Sequence, residues 1–423
     1  MAALSTAKAI YKYMENAVTT FESQFNMLGK VKITTPSPGE FQDAGNFMVR
    51  NVQQRGASIA GFDLTGLETG VITEAAILGM GTPDNAFVSL RGDDLRNESY
   101  WIEQGKTDAK KRASVLNKAI IDSIRLTGSM FVRTNATSGF DAISLVQAAY
   151  NKRQASEDGR YIALTDSMMQ TYGKDLAGRQ TLAGQPDLTF QKGVLYPSIA
   201  GFDVMRSSSI SVLAGGASPA TTVTGNQSFS PVPVGSVSAS GGTVTNIDYR
   251  SAVIPVAASA GYNVGDRVTF TNCFAVGRDD KTLTDELMTF TIVSKPNGTS
   301  IEVWPKPIAF DDPALSTLEK QYANINTRIL NGVTVNRVNI DASTQPSVFW
   351  QKDSIEVISG KMPMDKFGEF AGKKVATETL SNGMTMYMLY DGDIASLQLK
   401  YRMFIWYGVN NLNPMDNGLL VKF

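Results

Sequence analysis

The chain has 423 residues, 43% of them hydrophobic and 19% charged, with a formal net charge of −1 and no histidine. A single core stops growing beyond about 250–300 residues, so two or three compact units are expected. The even charge gives no general attraction to nucleic acid or to an anionic membrane surface.

Without histidine there is no Ser-His-Asp or Cys-His nucleophile and no imidazole metal ligand. The one cysteine, Cys273, forms neither an internal disulfide nor a multi-cysteine zinc site, and beside Phe274 it reads as a small buried hydrophobe. No enzyme, cofactor or metal is expected from this composition. The N-terminus lacks a basic segment followed by an apolar run, so no secretory signal is expected. No stretch approaches the roughly 18 uninterrupted apolar residues of a membrane span.

Leu4, Ala7, Tyr11, Met14, Val18, Phe21, Phe25 and Leu28 alternate spacings of three and four, which predicts one apolar helical stripe ended by Gly29. The stripe needs a partner: the chain's own core, another subunit or an accessory protein. Residues 31–90, rich in glycine and proline, predict a long extended excursion with short strands such as Phe47–Val52 and Gly70–Thr73. Residues 92–128 predict one long helix. Asp93 and Asp94 suit its N-terminus, and Leu95, Ile102, Ala109, Ala113, Leu116, Ile120 and Ile124 form its apolar face. Its basic cluster Lys110, Lys111 and Arg112 reads as a nucleic-acid contact or, with Glu103 and Asp108 interleaved, as a solvated face; the second reading is favoured.

From 139 to 206 short helices and strands alternate, with a helix from Ile143 to Tyr150, a strand Tyr161–Leu164 and a glycine turn between Leu195 and Met205. Between Arg206 and Asp248 there is no charged residue, and Ser, Thr, Gly, Val and Pro dominate. Four β-type runs follow, Ala252–Ala258, Arg267–Phe274, Leu287–Val293 and Ser300–Pro305, separated by turn residues such as Pro296-Asn297-Gly298. They predict a compact antiparallel β-barrel at about 219–340, inserted in the middle of the chain. Residues 345–423 return to mixed structure, with strands at Val348–Trp350, Ile355–Ile358, Met384–Tyr390 and Lys400–Val409. Pairing of 139–206 with 345–390 across the insertion would make one discontinuous domain.

Chemical motifs are few. No phosphate loop is present, and Gly79-Met80-Gly81 lacks the third glycine of a dinucleotide fingerprint. The acid pairs Asp93-Asp94, Asp279-Asp280 and Asp311-Asp312 lack the spacing of a dedicated cation loop and read as turns or caps. Arg91-Gly92-Asp93 sits at a helix start, and four Asn-x-Ser/Thr sequons have no secretion signal to act with.

Gly81-Thr82-Pro83-Asp84-Asn85-Ala86-Phe87 followed by Leu90-Arg91-Gly92-Asp93-Asp94-Leu95-Arg96 resembles the entry to the long helix in coat proteins of Salmonella phage P22 and its relatives. Ala200-Gly201-Phe202-Asp203 and Gly225-Asn226-Gln227-Ser228-Phe229 resemble their passage from shell domain into an inserted β-barrel. Pro305-Lys306-Pro307-Ile308-Ala309 with Asp311-Asp312, then Tyr322-Ala323-Asn324-Ile325-Asn326, resembles that barrel's exit, and Trp406-Tyr407-Gly408-Val409-Asn410 their C-terminal strand. No single match is diagnostic; their shared order along the chain is.

The resemblance implies an α+β fold of the Hong Kong 97 type. It implies an N-terminal arm helix at 1–30, a P-domain at 31–138 with an E-loop (about 50–82) and spine helix (about 92–128), and an A-domain at 139–218 and 341–395. The inserted barrel takes 219–340 and a C-terminal P-domain strand 396–423. It implies a barrel loop near 235–250 that reaches a neighbouring capsomer through charged contacts, here limited to Asp248 and Arg250. It implies a second barrel loop carrying Arg278, Asp279, Asp280 and Lys281, and an N-arm presenting Tyr11, Met14, Val18, Phe21 and Phe25. The implied function is a major capsid protein, located in the virion and assembled in the bacterial cytoplasm. It would form pentamers and hexamers of an icosahedral procapsid, with a scaffolding protein, a portal ring and non-specifically held double-stranded DNA as partners, and no membrane. Two other readings compete. One is a decoration or tail protein whose barrel binds a ligand, which calls for a concave aromatic site. The other is a nanocompartment shell of the same fold, which needs no insertion.

Overall fold

A computed structural model of the protein describes residues 6–36, 47–53, 65, 72, 74–91, 98–178, 198–217, 220–239, 242–339, 345–360, 374–393 and 398–422. Most of the expected E-loop, and Asp93 and Asp94, lie outside the described residues. Two compact units are present: 1–48 with 78–120 and 356–410, and 49–77 with 121–355 and 411–423.

In the first unit, helix α1 (Thr6–Gln24) buries Ile10, Tyr13, Met14, Ala17 and Phe21, an i, i+3, i+4, i+7 pattern that is one face of an α-helix. Burying a phenylalanine such as Phe21 contributes about 2 kcal/mol. The face is rotated from the predicted stripe. Tyr11 is 60% exposed and Tyr13 fully buried, because spacings of three and four fit two adjacent stripes and the neighbouring element selects between them. That neighbour is helix α2 (Glu98–Thr127), one helix as predicted, with Trp101, Ala109, Ala113, Leu116, Ile120, Ile121 and Ile124 inward. Gly105 permits the approach: a Cβ there would stand 2.7 Å from the backbone oxygen of Tyr13. A four-stranded antiparallel sheet, in the order Lys374–Thr379, Thr385–Asp393, Gln398–Ile405, Asp84–Arg91, belongs to the same unit. Lys32–Thr34, Ile355–Ser359 and Tyr407–Asn411 form a three-stranded sheet.

The second unit holds two six-stranded sheets. One has the order Met130–Thr134, Asn417–Lys422, Ser347–Gln351, Arg160–Leu164, Phe202–Arg206, Ser198–Ile199 and mixes parallel and antiparallel pairs. Helices α3 (Gly139–Lys152) and α4 (Asp166–Gly178) contribute Ile143, Val146, Tyr150, Met168 and Tyr172 to one core with Ile162, Phe202, Phe349 and Leu420 of that sheet. The predicted pairing across the middle segment is present, as Ser347–Gln351 runs antiparallel to Arg160–Leu164.

The other sheet is antiparallel: Ala252–Pro255, Ser300–Trp304, Leu283–Asn297, Arg267–Val276, Thr334–Arg337, Ala220–Thr222. Its two outer strands meet. A bridge joins Val223 to Val256, Thr224 N–H donates to Pro255 O at 3.0 Å, and Ala257 N–H donates to Thr222 O at 2.9 Å. Closing the ends in this way removes the exposed strand edges that invite aggregation. Inside, Ile254, Phe270, Phe290, Ile301, Val303 and Val335 are fully buried, with Cys273 beside them. Burial pushes the Cys273 thiol up to about 12, so it is an inert packing group.

Within residues 341–395, Ser347–Gln351 lies in the second unit, while Lys374–Thr379 and Thr385–Asp393 pair in the first. Residues 396–423 are not one strand but three, in three sheets, with a break at Trp406 and a 3₁₀ turn at Pro414–Asp416. A run of apolar and aromatic residues cannot show where a chain changes partner strand.

Candidate assembly surfaces

Between the outer strands of the closed sheet the chain makes a separate two-stranded hairpin, Val234–Ala239 with Gly242–Asp248. Gly235 and Asn246 adopt positive φ, +85° and +56°, where the register shifts, a position that favours glycine and asparagine. Val234, Ser236, Ser238, Thr243, Thr245 and Asn246 are all exposed, and none carries a charge.

The two charges expected on this loop lie at its base. Arg250 is 3% exposed. It grips Asp248 with a fork, Nε to Oδ1 at 2.9 Å and Nη2 to Oδ2 at 2.7 Å. It also donates to the backbone oxygens of Asn411 and, at 3.1 Å, Ile77. Tyr249 donates its hydroxyl to Leu412 O at 2.6 Å, and its N–H to Ala75 O at 2.8 Å. Lys306 is as buried as Arg250 and donates to Val232 O at 2.8 Å, just before the hairpin begins. Burial drops its ammonium to about 8, against the pull of Asp248 and Glu74. Asp248 and Arg250 are therefore spent inside the fold, where they fix the hairpin's root. Sequence reasoning missed Tyr249 and Lys306 as parts of this root; Tyr249 stands just past the end of the long uncharged stretch, and Lys306, between two prolines, carried no signal of burial.

The second loop is also held down. Arg278 pairs with Asp416, and its N–H donates to Arg153 O at 3.3 Å. The N–H groups of Asp279 and Asp280 donate to Gln154 Oε1 at 2.9 and 3.3 Å. Lys281 Nζ donates to the backbone oxygens of Arg278 and Ala323 at 2.6 and 3.2 Å. The Asp279-Asp280 pair is a turn, as read from the sequence, and among the described residues no acidic cluster is placed to hold a metal.

Of the N-arm residues, Met14, Phe21 and Phe25 are buried, Val18 is half-buried and Tyr11 is exposed. The spine-helix cluster divides as well. Lys110 and Lys111 are exposed, whereas Arg112 is buried and its Nε donates to Asp84 at 2.6 Å. Among the described residues no helix is long and apolar enough to cross a membrane.

The family model described as "P22 coat protein - gene protein 5" matches residues 1–421. The chain belongs to the P22 coat protein family. It is a phage major capsid protein, a structural component of an icosahedral shell. Solved structures similar to it include the capsid of cyanophage P-SCSP1u (12% identity, 93% of this chain and 86% of that one, TM-score 0.40). Another is the mature capsid of bacteriophage PhiM1 (11% identity, 93% and 86%, TM-score 0.42). The I-domain of the CUS-3 coat protein matches at 23% identity over 30% of this chain and all of that one, with a TM-score of 0.23. In this capsid protein the hairpin forms a two-stranded sheet of its own, and an isolated two-stranded hairpin is only marginally stable in water. The closed sheet is filled by side chains, which leaves its interior to packing.

Proposed function

We propose that this capsid protein assembles into pentamers and hexamers of a procapsid that expands on DNA packaging and encloses the phage genome. Its fold is then the Hong Kong 97 type, with 219–340 as an inserted β-barrel on the shell's outer face and the segment near 50–82 as an E-loop over a neighbouring subunit. A scaffolding protein and a portal ring guide assembly in the host cytoplasm, and packaged DNA meets the inner surface without base recognition.

The observation that carries the reading is the hairpin Val234–Asp248, uncharged until Asp248 at its base, with exposed side chains on both strands and rooted by buried Arg250 and Lys306. A rigid root under a polar arm suits a contact made by one subunit on another. With Asp248 and Arg250 committed to the root, that contact uses backbone and hydroxyl groups of the arm instead of the expected ion pairs. Weak contacts repeated around a shell allow errors to dissociate before the lattice closes.

The test is to express the full chain alone and image it by negative-stain electron microscopy. Shells, spirals or polyheads are expected, with regular closure on adding the scaffold. A monomer that stays soluble at high concentration, even with scaffold present, would overturn the reading.

A further inference from the structure

The chain holds four Asn-Gly pairs, at Asn297, Asn331, Asn382 and Asn417. Such a pair can react with itself, because the glycine nitrogen, with no Cβ beside it, reaches the asparagine Cγ and expels the side-chain nitrogen. Three of the four pairs are held in ways that oppose this. Gly332 N–H donates to Val223 O and Gly383 N–H to Leu380 O, both at 2.9 Å, so neither nitrogen is available. Asn417 is fully buried, its Nδ2 donates to Asn411 Oδ1 and Asn413 O, and Gly418 lies in a ladder against Met130.

Gly298 differs. Among the described residues its N–H meets no acceptor, and nothing stands within 4 Å of where a Cβ would be. Asn297, Gly298 and Thr299 are all exposed, at the tip that joins Leu283–Asn297 to Ser300–Trp304. The tip is gripped from its carbonyl side only: Ser259 Oγ donates to Asn297 O at 2.7 Å, and the N–H groups of Ser259 and Val256 donate to Gly298 O and Thr299 O at 2.9 Å. The carboxamide of Asn297 is placed as well. Its Oδ1 accepts from Thr299 N–H at 2.9 Å and from Thr299 Oγ1 at 3.2 Å, which turns the side chain back along the tip and polarises Cγ.

We propose that Asn297 is a self-modification site, at which the chain converts its own asparagine to isoaspartate and aspartate through a cyclic imide with Gly298. Hydroxide takes the Gly298 amide proton, the nitrogen bonds to Cγ, and the carbonyl electron pair moves onto Oδ1, where the two Thr299 donors stabilise the negative charge. The Cγ–Nδ2 bond then breaks, and Nδ2 leaves into solvent as ammonia with a proton from water. Water opens the imide at either carbonyl, so one water enters, one ammonia leaves and nothing is oxidised or reduced. Each event adds a negative charge to the tip. The isoaspartate product also adds a backbone carbon to a two-residue turn, and turn length sets the register of the strands it joins.

The experiment incubates the unassembled full chain in warm, mildly alkaline heavy-oxygen water and follows each Asn-Gly peptide by mass spectrometry after digestion. Conversion is expected first at Asn297, with heavy oxygen incorporated and isoaspartate among the products, while Asn331, Asn382 and Asn417 keep their amides. Thr299→Val, which removes one of the two donors, is expected to slow conversion by about two- to tenfold. Gly298→Ala, for which the tip has room, is expected to slow it further by shielding the nitrogen. An intact Asn297 after the urea-unfolded chain has converted would overturn the site, as would conversion of Asn331 or Asn382 at an equal rate. Product that is aspartate alone, or a rate indifferent to Thr299→Val and Gly298→Ala, would overturn the imide route.

Discussion

The guanidinium carbon of Arg250 lies 4.2 Å from the centroid of the Trp304 ring. The contact seats a buried cation on an aromatic face while its edge binds Asp248 and two backbone oxygens, so one side chain ties the hairpin root, the strand ending at Trp304 and residues 77 and 411. Removing one partner of a buried ion pair leaves the other charge unmet, at a cost of about 3–5 kcal/mol. Arg250→Met is expected to destabilise the chain by about that amount in urea unfolding. Arg250→Lys, which keeps the charge but loses the fork, is expected to recover less than half.

Lys306 predicts a pH dependence with a definite sign. Its folded-state value, about 8, lies below the ordinary lysine value of 10.5. Below pH 8 the group is protonated in both states and the burial cost is fully present. Between pH 8 and 10.5 the unfolded chain binds the proton and the folded chain has released it, so stability rises with pH. Over pH 8 to 9.5 the rise is expected to approach about 2 kcal/mol. Urea midpoints across that window check it, and Lys306→Met is expected to flatten the slope.

In the first unit, Asp108 Oδ2 accepts from the hydroxyls of Tyr13 at 2.6 Å and Tyr401 at 3.1 Å. Tyr13→Phe removes one donor and leaves Asp108 still served by Tyr401 and Gln104, so a loss of about 1 kcal/mol is expected. Asp108→Leu strands two buried hydroxyls and is expected to cost about 2–4 kcal/mol. Denaturant titration of both variants gives the ratio.

Gly418 pairs with Met130 in a parallel ladder, and a Cβ on it would stand 2.1 Å from Met130 O. That oxygen is fixed backbone, so Gly418→Ala must part the strands and is expected to cost more than about 3 kcal/mol, seen as loss of soluble protein. Gly298→Ala, with nothing within 4 Å of the added carbon, is the control and is expected to leave yield unchanged.

Local pattern determined much of this protein. The apolar face of α2 repeats with helical period over its length, and Pro296-Asn297-Gly298 announced the turn between the strands ending at Asn297 and starting at Ser300. The lack of histidine settled which nucleophiles and ligands were impossible. Helical spacing did not choose between Tyr11 and Tyr13, because two neighbouring stripes satisfy it and only packing against Gly105 decides. Alternation did not show that Lys400–Val409 breaks at Trp406 into strands of two sheets. Charge alone could not tell a contact residue from a buried one. Arg250 looks the same in sequence whether it faces solvent or Trp304, since burial is set by residues as far as 173 positions away, brought together only by the fold.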